Sequence, residues 1–342
     1  MVNEIVDVGI KILLAVILSL LAIFFGLLYK GIDRKLSARM QSRVGPPIRQ
    51  PFRDVGKLMI KESIVPENAI PWLFNAAPVI SLAASLLVVL YLPFIIDKPL
   101  LSGYGDAILV AYLFAIPALA MVAGGFASSS PFATVGAQRE MVMMMSYEFS
   151  LAAVIISFAW RLSVAYPDAP VFSLAFISSH PIWNIIGPLG KVGVLILLII
   201  IIIVMPAEIG KVPFDVPEAE TEIAGGLLVE YSGRNLAMFY LADSVRMIAF
   251  ATFIVAFFFP YNLSPFVAEK FAISLHKYIA WTVDILFFLL KIFLITFFAI
   301  TFIRTTMARL KIDQVSHLYW VKMLAISVIA LLLLYLDTYM GW

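Results

Sequence analysis

Apolar runs of about twenty residues recur along the whole chain, and nothing else in the sequence restricts its fold as strongly. A run of that length spans the hydrocarbon core of a bilayer as a helix, because 20 residues rising 1.5 Å each reach about 30 Å. Eight runs are read, near residues 8–29, 72–96, 107–127, 140–160, 185–205, 236–259, 280–303 and 319–340. In lipid each backbone amide must bond within its own segment, so these runs are helices. The expected class is all-α: a polytopic membrane protein of about eight transmembrane helices, one integral membrane domain over residues 1–342. Only 13% of the residues are charged, about half the share of a soluble domain, which leaves no room for a soluble second unit. The opening "MVNEIVDVGIK" is acidic where a cleaved leader is basic, so it reads as the approach to the first span.

The few charges are unevenly placed. Nine Lys or Arg fall between Lys30 and Pro71. Loops three, five and seven add Arg139, Lys211, Arg234, Arg304, Arg309 and Lys311, whereas the even-numbered loops carry mainly Lys98, Arg161, Lys270 and Lys277 and read as plain connections. Basic loops stay in the cytoplasm. The basic loop 30–71 and the loop 206–235 are therefore expected inside, with both termini of the multi-pass chain outside the cell membrane. Within loop one, "PFRDVGKLMIKES" suits an amphipathic helix. Arg53, Lys57 and Lys61 recur every four residues on one face, and Phe52, Val55, Leu58 and Met59 fall largely on the other, a pattern that rests on lipid headgroups or on a protein partner. Arg34, Arg39, Arg43, Gly45, Pro46 and Arg49 join these bases as the candidate partner-facing residues.

Loop five breaks the trend. "PFDVPEAETEIAGGLLVEYSG" (213–233) holds five carboxylates and no base. Pro213 and Pro217 prevent a continuous helix from span five, and Asp215 with Pro217 fits a new helix start. That helix is expected to run from Pro217 to Gly233, with Glu218 and Glu222 one turn apart on one face and Glu230 two turns further. Acids in a first turn offset the helix dipole and stay solvated, which accounts for Glu218 and Glu220. The continuation into the apolar "GGLLVE" instead suggests a carboxylate cluster at a membrane entrance, in which crowded acids cannot all ionise. Glu208 lies just upstream.

Ionisable residues also sit inside the spans, where each is costly unless paired or hydrated. Glu140 and Glu148 lie in span four, Asp243 and Arg246 form an i, i+3 pair in span six, and Asp284 and Lys291 lie two turns apart in span seven. Together with the acids of loop five these are the candidate proton-path residues. Lys11, Lys191 and Asp337 read as residues near span ends that reach the interface, and Glu140 fits that reading also. Met141 and Met143–Met145 read as packing. The chain has no cysteine, and His180, His276 and His317 are scattered, so no redox metal, iron–sulfur cluster or zinc site is expected within it. Nothing suggests nucleic-acid binding.

The acidic stretch, with "DRKLSARMQSRVGPP" and "QPFRDVGKLMIKE" in loop one, "NAAPVI" in span two and "GGFASSSPFATVGAQREMVMMMSYE" (124–148), resembles the heel subunit shared by respiratory complex I and the energy-converting membrane-bound nickel–iron hydrogenases. The resemblance implies an eight-helix, non-catalytic subunit of an oxidoreductase complex. It would join a peripheral hydrogenase-like, iron–sulfur arm to antiporter-like membrane subunits. Nickel–iron and iron–sulfur centres would belong to those partners. It also implies a line of protonatable groups leading from the acidic loop into the membrane, coupling electron transfer to proton or sodium translocation. The compact "GPPIRQP" (45–51) is similar to the hydrogenase branch, whose electron carrier is ferredoxin. Complex I proteins carry a longer segment there, part of their quinone chamber. A quinone-site subunit of complex I type and the same subunit of a ferredoxin-linked sulfur-reducing complex are the alternatives. A secondary transporter commonly shows repeated halves, and none is visible. A purely structural anchor leaves the buried acids unexplained.

Overall fold

The computed structural model describes residues 2–95, 98–103, 105–266 and 277–341, without the side chains of residues 2–7 and 277. Lys270, His276 and the side chain of Lys277 thus lie outside the described residues. Among the described residues, eight helical segments are long and apolar enough to cross a membrane, as the hydropathy pattern predicts. In chain order the helices are α1 (Val2–Met40), α2 (Gln50–Ile60), α3 (Pro71–Tyr91), α4 (Asp106–Ala127), α5 (Pro131–Ala165), α6 (Leu174–Ser179), α7 (Pro188–Glu208), α8 (Glu220–Ile223) and α9 (Gly233–Phe258). Then come α10 (Lys277–Thr296), which runs through a π-helical turn at Phe297–Phe302 into α11 (Ile303–Thr306), and α12 (Ile312–His317), which runs through a second π turn at Leu318–Met323 into α13 (Leu324–Tyr339). No strand occurs among the described residues.

The bundle is organised around α9, in which every residue from Leu241 to Phe258 is buried. Lipid gives apolar helices no hydrophobic reason to associate, so packing and close backbone approach hold them. Phe250, Phe253, Phe257 and Phe258 of α9 meet Phe114 of α4 and Phe158 of α5 in edge-on or tilted ring contacts. Gly26 lets α1 approach α9 so closely that a Cβ there would lie 2.5 Å from the Ser244 carbonyl oxygen. In contrast α1 and α13 carry many exposed large apolar residues, Leu20, Phe24, Val328 and Leu332 among them.

Several expectations are corrected. Loop one is helical at its start, because α1 continues to Met40 and carries Lys30, Arg34, Lys35 and Arg39 on its extended end. The amphipathic helix is found where it is expected, as α2, with Arg53 and Lys57 exposed and Lys61 just beyond it. Loop four is not a plain connection, since it holds α6 and a 3₁₀ turn at Ile182–Asn184. Arg161, assigned to that loop, lies inside α5 and is buried. Asp337 does not reach the interface; it is fully buried and accepts a 2.8 Å hydrogen bond from the Gly187 amide, which begins α7.

The largest correction concerns residues 213–233. They form no continuous helix but a 3₁₀ turn at Val216–Glu218, the single turn α8 and a further 3₁₀ turn at Gly226–Leu228. Ala219 is extended, and Ala224, Gly225 and Gly226 all have positive φ. That left-handed run stops a right-handed helix, and glycine adopts it most easily. Glu218 and Glu222 therefore do not share a helix face, and Gly233 begins α9 rather than ending a helix. Asp215 occupies the position before the first turn, but its carboxylate makes no capping bond there.

Candidate functional site

The folded acidic segment lies flat against the N-terminal end of α5. Gly136 makes this possible, because a Cβ there would sit 2.7 Å from the Leu227 amide nitrogen and 2.8 Å from the Pro217 carbonyl oxygen. Loop one covers the same end: Ile64 N–H donates to Ser232 Oγ at 3.0 Å and Arg234 N–H to Ser63 Oγ at 2.9 Å. The two loops thus sit at one end of the bundle, as the span count predicts. Loop seven closes the third side. Arg309 holds the Asp215 carboxylate with Nε at 2.9 Å and Nη2 at 2.7 Å, and Leu310 N–H donates to Pro213 O at 3.1 Å.

Beneath this lid lies a small cavity of about 10 Å³, the size that holds one water. Glu140 of α5, Asp215, Glu218 and Arg246 of α9 supply its polar lining. Arg246 is the hub. Its Nη2 donates to Asp243 Oδ1 at 2.9 Å, and its charge also acts on Glu140 and Glu208. Asp243 Oδ2 faces Lys211 Nζ at 3.6 Å. Lys30 of α1 reaches the same group, donating to Tyr240 O at 3.4 Å with its charge acting on Asp243 and Glu218. Glu140, Glu208, Asp243, Arg246 and Lys30 are all buried. Tyr147 lies beside Glu208, interacting electrostatically but outside hydrogen-bond geometry, and Glu208 Oε1 has no hydrogen-bond partner.

Four acids (Glu140, Glu208, Glu218, Asp243) here face three bases (Lys30, Lys211, Arg246). Full ionisation would leave an uncompensated negative charge in a medium that solvates it poorly, so the cluster favours holding a proton. Glu218, on the loop, registers this. Loss of hydration pushes its carboxyl up to about 7, the Asp243 charge adds to the rise, and Lys211, Arg246 and Lys30 oppose it. A group balanced there takes up and releases protons at neutral pH.

Of the residues singled out by sequence, the fold gathers Glu140, Glu208, Asp215, Glu218, Asp243 and Arg246. Glu140 is buried at 4% exposure, which removes its reading as an interfacial residue. Glu148 is partly buried, and its charge reaches Glu208. Glu220 and Glu222 are exposed, the latter 2.6 Å from Arg139, and Glu230 is partly buried. Asp284 and Lys291 are not brought to the site. They lie at the opposite end of α9, where Asp284 accepts bonds from the Leu263 and Ser264 amides at 3.0 and 2.8 Å. Lys291 donates to the Phe259 and Tyr261 carbonyls at 2.9 and 2.8 Å. Both hold the chain as it leaves α9.

Among the basic residues of loop one, Arg39, Arg43, Arg49, Arg53, Lys57 and Lys61 are exposed, whereas Arg34 is paired with Asp54 at 2.9 Å. Gly45 takes φ +70° where the chain turns back on Lys35 and Ala38, and Pro46 follows it, partly buried. Sequence reading missed Lys30, Lys211 and Tyr147. A lysine at a span end ordinarily reaches for water, which hid Lys30. Tyr147 carried a usable signal, two turns from Glu140 on one helix face. No group of three or more metal-ligating side chains occurs among the described residues.

The chain matches the family described as NADH dehydrogenase over residues 11–335. It is 31% identical to a subunit of the NADH-quinone oxidoreductase of Brevibacillus brevis, over 94% of this chain and 90% of that one. It is also 31% identical to hydrogenase-4 component C of Escherichia coli, over 74% and 77%. Its fold superposes on a chain of the membrane-bound sulfane sulfur reductase, an archaeal respiratory membrane complex, with a TM-score of 0.78 and 26% identity over 95% of this chain and 99% of that one. The chain belongs to the NADH dehydrogenase family, as a membrane subunit of the kind found in complex I-type and hydrogenase-type assemblies.

Proposed function

We propose that this chain is the coupling subunit of an ion-pumping, ferredoxin-linked complex of hydrogenase type. It carries no redox centre; nickel–iron and iron–sulfur centres are held by a peripheral partner, and antiporter-like subunits lie beside it in the membrane. The observation that carries the reading is the excess of buried acid over base around Arg246, roofed by loops that a peripheral partner would touch. Electron transfer in the partner shifts that roof or its charge, Glu218 changes protonation, and Glu140 and Glu208 pass the change into the membrane. Loops 30–71 and 206–235 face the cytoplasm, both termini face outward, and the exposed bases Arg39 to Lys61 meet the partner's acids or lipid headgroups.

The test is purification of the intact complex after mild solubilisation. Nickel in the peripheral partner with ferredoxin-driven proton reduction supports the hydrogenase reading. Cluster-bearing partners without nickel point to sulfur reduction, a reading favoured by the likeness to the sulfane sulfur reductase chain. Quinone-dependent turnover with a headgroup bound beside Arg43 and Gly45 overturns the hydrogenase assignment in favour of the complex I type, the quinone-linked kind for which the Brevibacillus relative is named. A chain that purifies alone and transports by itself sinks the subunit reading altogether.

A further inference from the structure

The cluster around Arg246 leaves a second set of buried polar groups unused. Asp337 of α13 is fully buried at the opposite membrane face, with Oδ2 on the Gly187 amide and Oδ1 without a hydrogen-bond partner. Arg161 of α5 is buried beside it, donates to Ile185 O at 2.6 Å, and its charge acts on Asp337. An acid and a base at zero to 3% exposure, apart from the Asp284 and Lys291 pair at the same end of the bundle, are costly to keep for packing alone.

Between this pair and the acidic cavity runs one face of α5. Tyr147, Ser150, Ser157 and Arg161 follow each other at spacings of three, seven and four residues, which places them on one stripe of a helix. Two contacts fix where the stripe looks. Tyr147 lies beside Glu208 of α7 and 6.3 Å, ring to ring, from Tyr319 before α13. Arg161 meets the start of α7 and the end of α13. The stripe therefore faces the seam between α7 and the last helix over its whole length. From Glu140 to Arg161 it climbs about 31 Å, the thickness of a hydrocarbon core.

Two of the three hydroxyls on it are not satisfied. Tyr147 OH and Ser150 Oγ, both on residues with no exposure, have no hydrogen-bond partner, as is true of Glu208 Oε1 and Asp337 Oδ1 at either end. Buried polar groups in this state are ordinarily bridged by ordered water. Thr252 Oγ1 is also without a partner but lies on α9. Ser157 is bonded back to Ala153 O at 2.7 Å and keeps its acceptor capacity.

We propose that the seam between α5, α7 and α13 is a proton route across the whole membrane, from the acidic cavity through Tyr147 and Ser150 to an exit at Asp337 and Arg161. It rests on the reading of the cavity as a protonatable site. Each hop breaks one O–H bond and forms the next, so a proton gained beside Glu208 is matched by one released at Asp337. The groups named on the route are hydroxyls and carboxyls, each able to take up a proton and hand it on, so the conducted ion is the proton. Ser150 and Ser157 are about 10 Å apart along the helix axis, a span of about three waters, with fully buried Val154 between them. A permanently wet route would collapse the gradient. This dry stretch is the barrier, and it conducts only when water enters it.

The experiment uses the whole complex reconstituted in vesicles. Asp337→Asn keeps the shape and an acceptor for Gly187 but removes the exchangeable carboxyl. It is expected to leave assembly and uncoupled electron transfer intact and to lower proton translocation by about tenfold or more. Hydroxyl-radical footprinting of the unmodified complex guards against a variant that misfolds. Tyr147 and Tyr319 should be oxidised, relative to intrinsic reactivity, well above Phe253 and Phe257, although all four are at 0–1% exposure. Full pumping by Asp337→Asn, or tyrosines protected like the phenylalanines, overturns the route. If Glu218→Gln stops pumping while Asp337→Asn does not, the route fails and the cavity reading stands; if neither matters, the cavity reading itself fails.

Discussion

Replacing Glu218 by Gln fixes in place the neutral form of the loop acid, and its effect on stability follows from the site's electrostatics. The folded protein holds this carboxyl at about 7 against an ordinary 4.5. Two and a half decades at about 1.36 kcal/mol each give ~3.4 kcal/mol as the upper limit of the cost of ionising it in the fold. The side chain is partly exposed, so screening reduces the expectation to about 1.5 kcal/mol. Because the folded value is raised, the folded state binds more protons than the unfolded one between pH 4.5 and 7. Stability is then full below 4.5, declines as pH rises through 7, and levels off above. The glutamine variant lacks this decline. The assay is the difference in denaturation midpoint between variant and parent complex, measured from pH 4.5 to 8.5. The variant should match the parent at the acid end and exceed it at pH 8, while translocation is lost at every pH. A variant that tracks the parent across the range, or is less stable at pH 8, refutes the assignment of Glu218 as the titrating group.

Gly136→Ala should push the acidic segment off α5 and cost about 1–3 kcal/mol as overpacking, read as loss of coupling with the membrane helices still folded by circular dichroism. Arg246→Met removes the hydrogen-bonded partner of Asp243, leaving the 3.6 Å contact to Lys211 and the charge of Lys30, and should destabilise by about 3–5 kcal/mol. Pairing it with Asp243→Leu should recover much of that loss in a double-mutant cycle. Glu222→Gln breaks only the exposed contact to Arg139, so it should cost under about 1 kcal/mol and leave pumping unchanged. Arg309→Ala should free Asp215 and raise proteolysis of the 213–224 segment, with the Asp215→Asn variant showing the same cleavage pattern.

The spans were legible because burial in lipid imposes one length and one composition on every crossing helix. The Asp243–Arg246 pair was legible because both residues lie on one helix, where sequence spacing is spatial distance. The path of residues 213–233 was not. Its carboxylates suggested a helical first turn, but "AGG" takes left-handed backbone angles that a residue count does not reveal. The same break sends Glu218 into the site and Glu222 to the surface. Asp284 and Lys291 share a face as expected, yet their partners are backbone groups of residues 259–264 and the Ser264 hydroxyl, and no periodicity encodes those. Asp337 misled because position near a span end says nothing about which neighbours close over it.

The burial of α9 has a mechanical consequence. Its C-terminal two-thirds touches neither lipid nor any surface a neighbouring subunit could press. Arg246 and Asp243 are therefore mounted on a stator: force from outside reaches them only through the surrounding helices and the loop roof. Whatever moves in the working complex moves relative to this fixed charge, so proton affinity is set by how near the loop brings Glu218 to it. A lipid-dissolved photoreactive probe should accordingly label α1 and α13 heavily and residues 241–258 of α9 hardly at all.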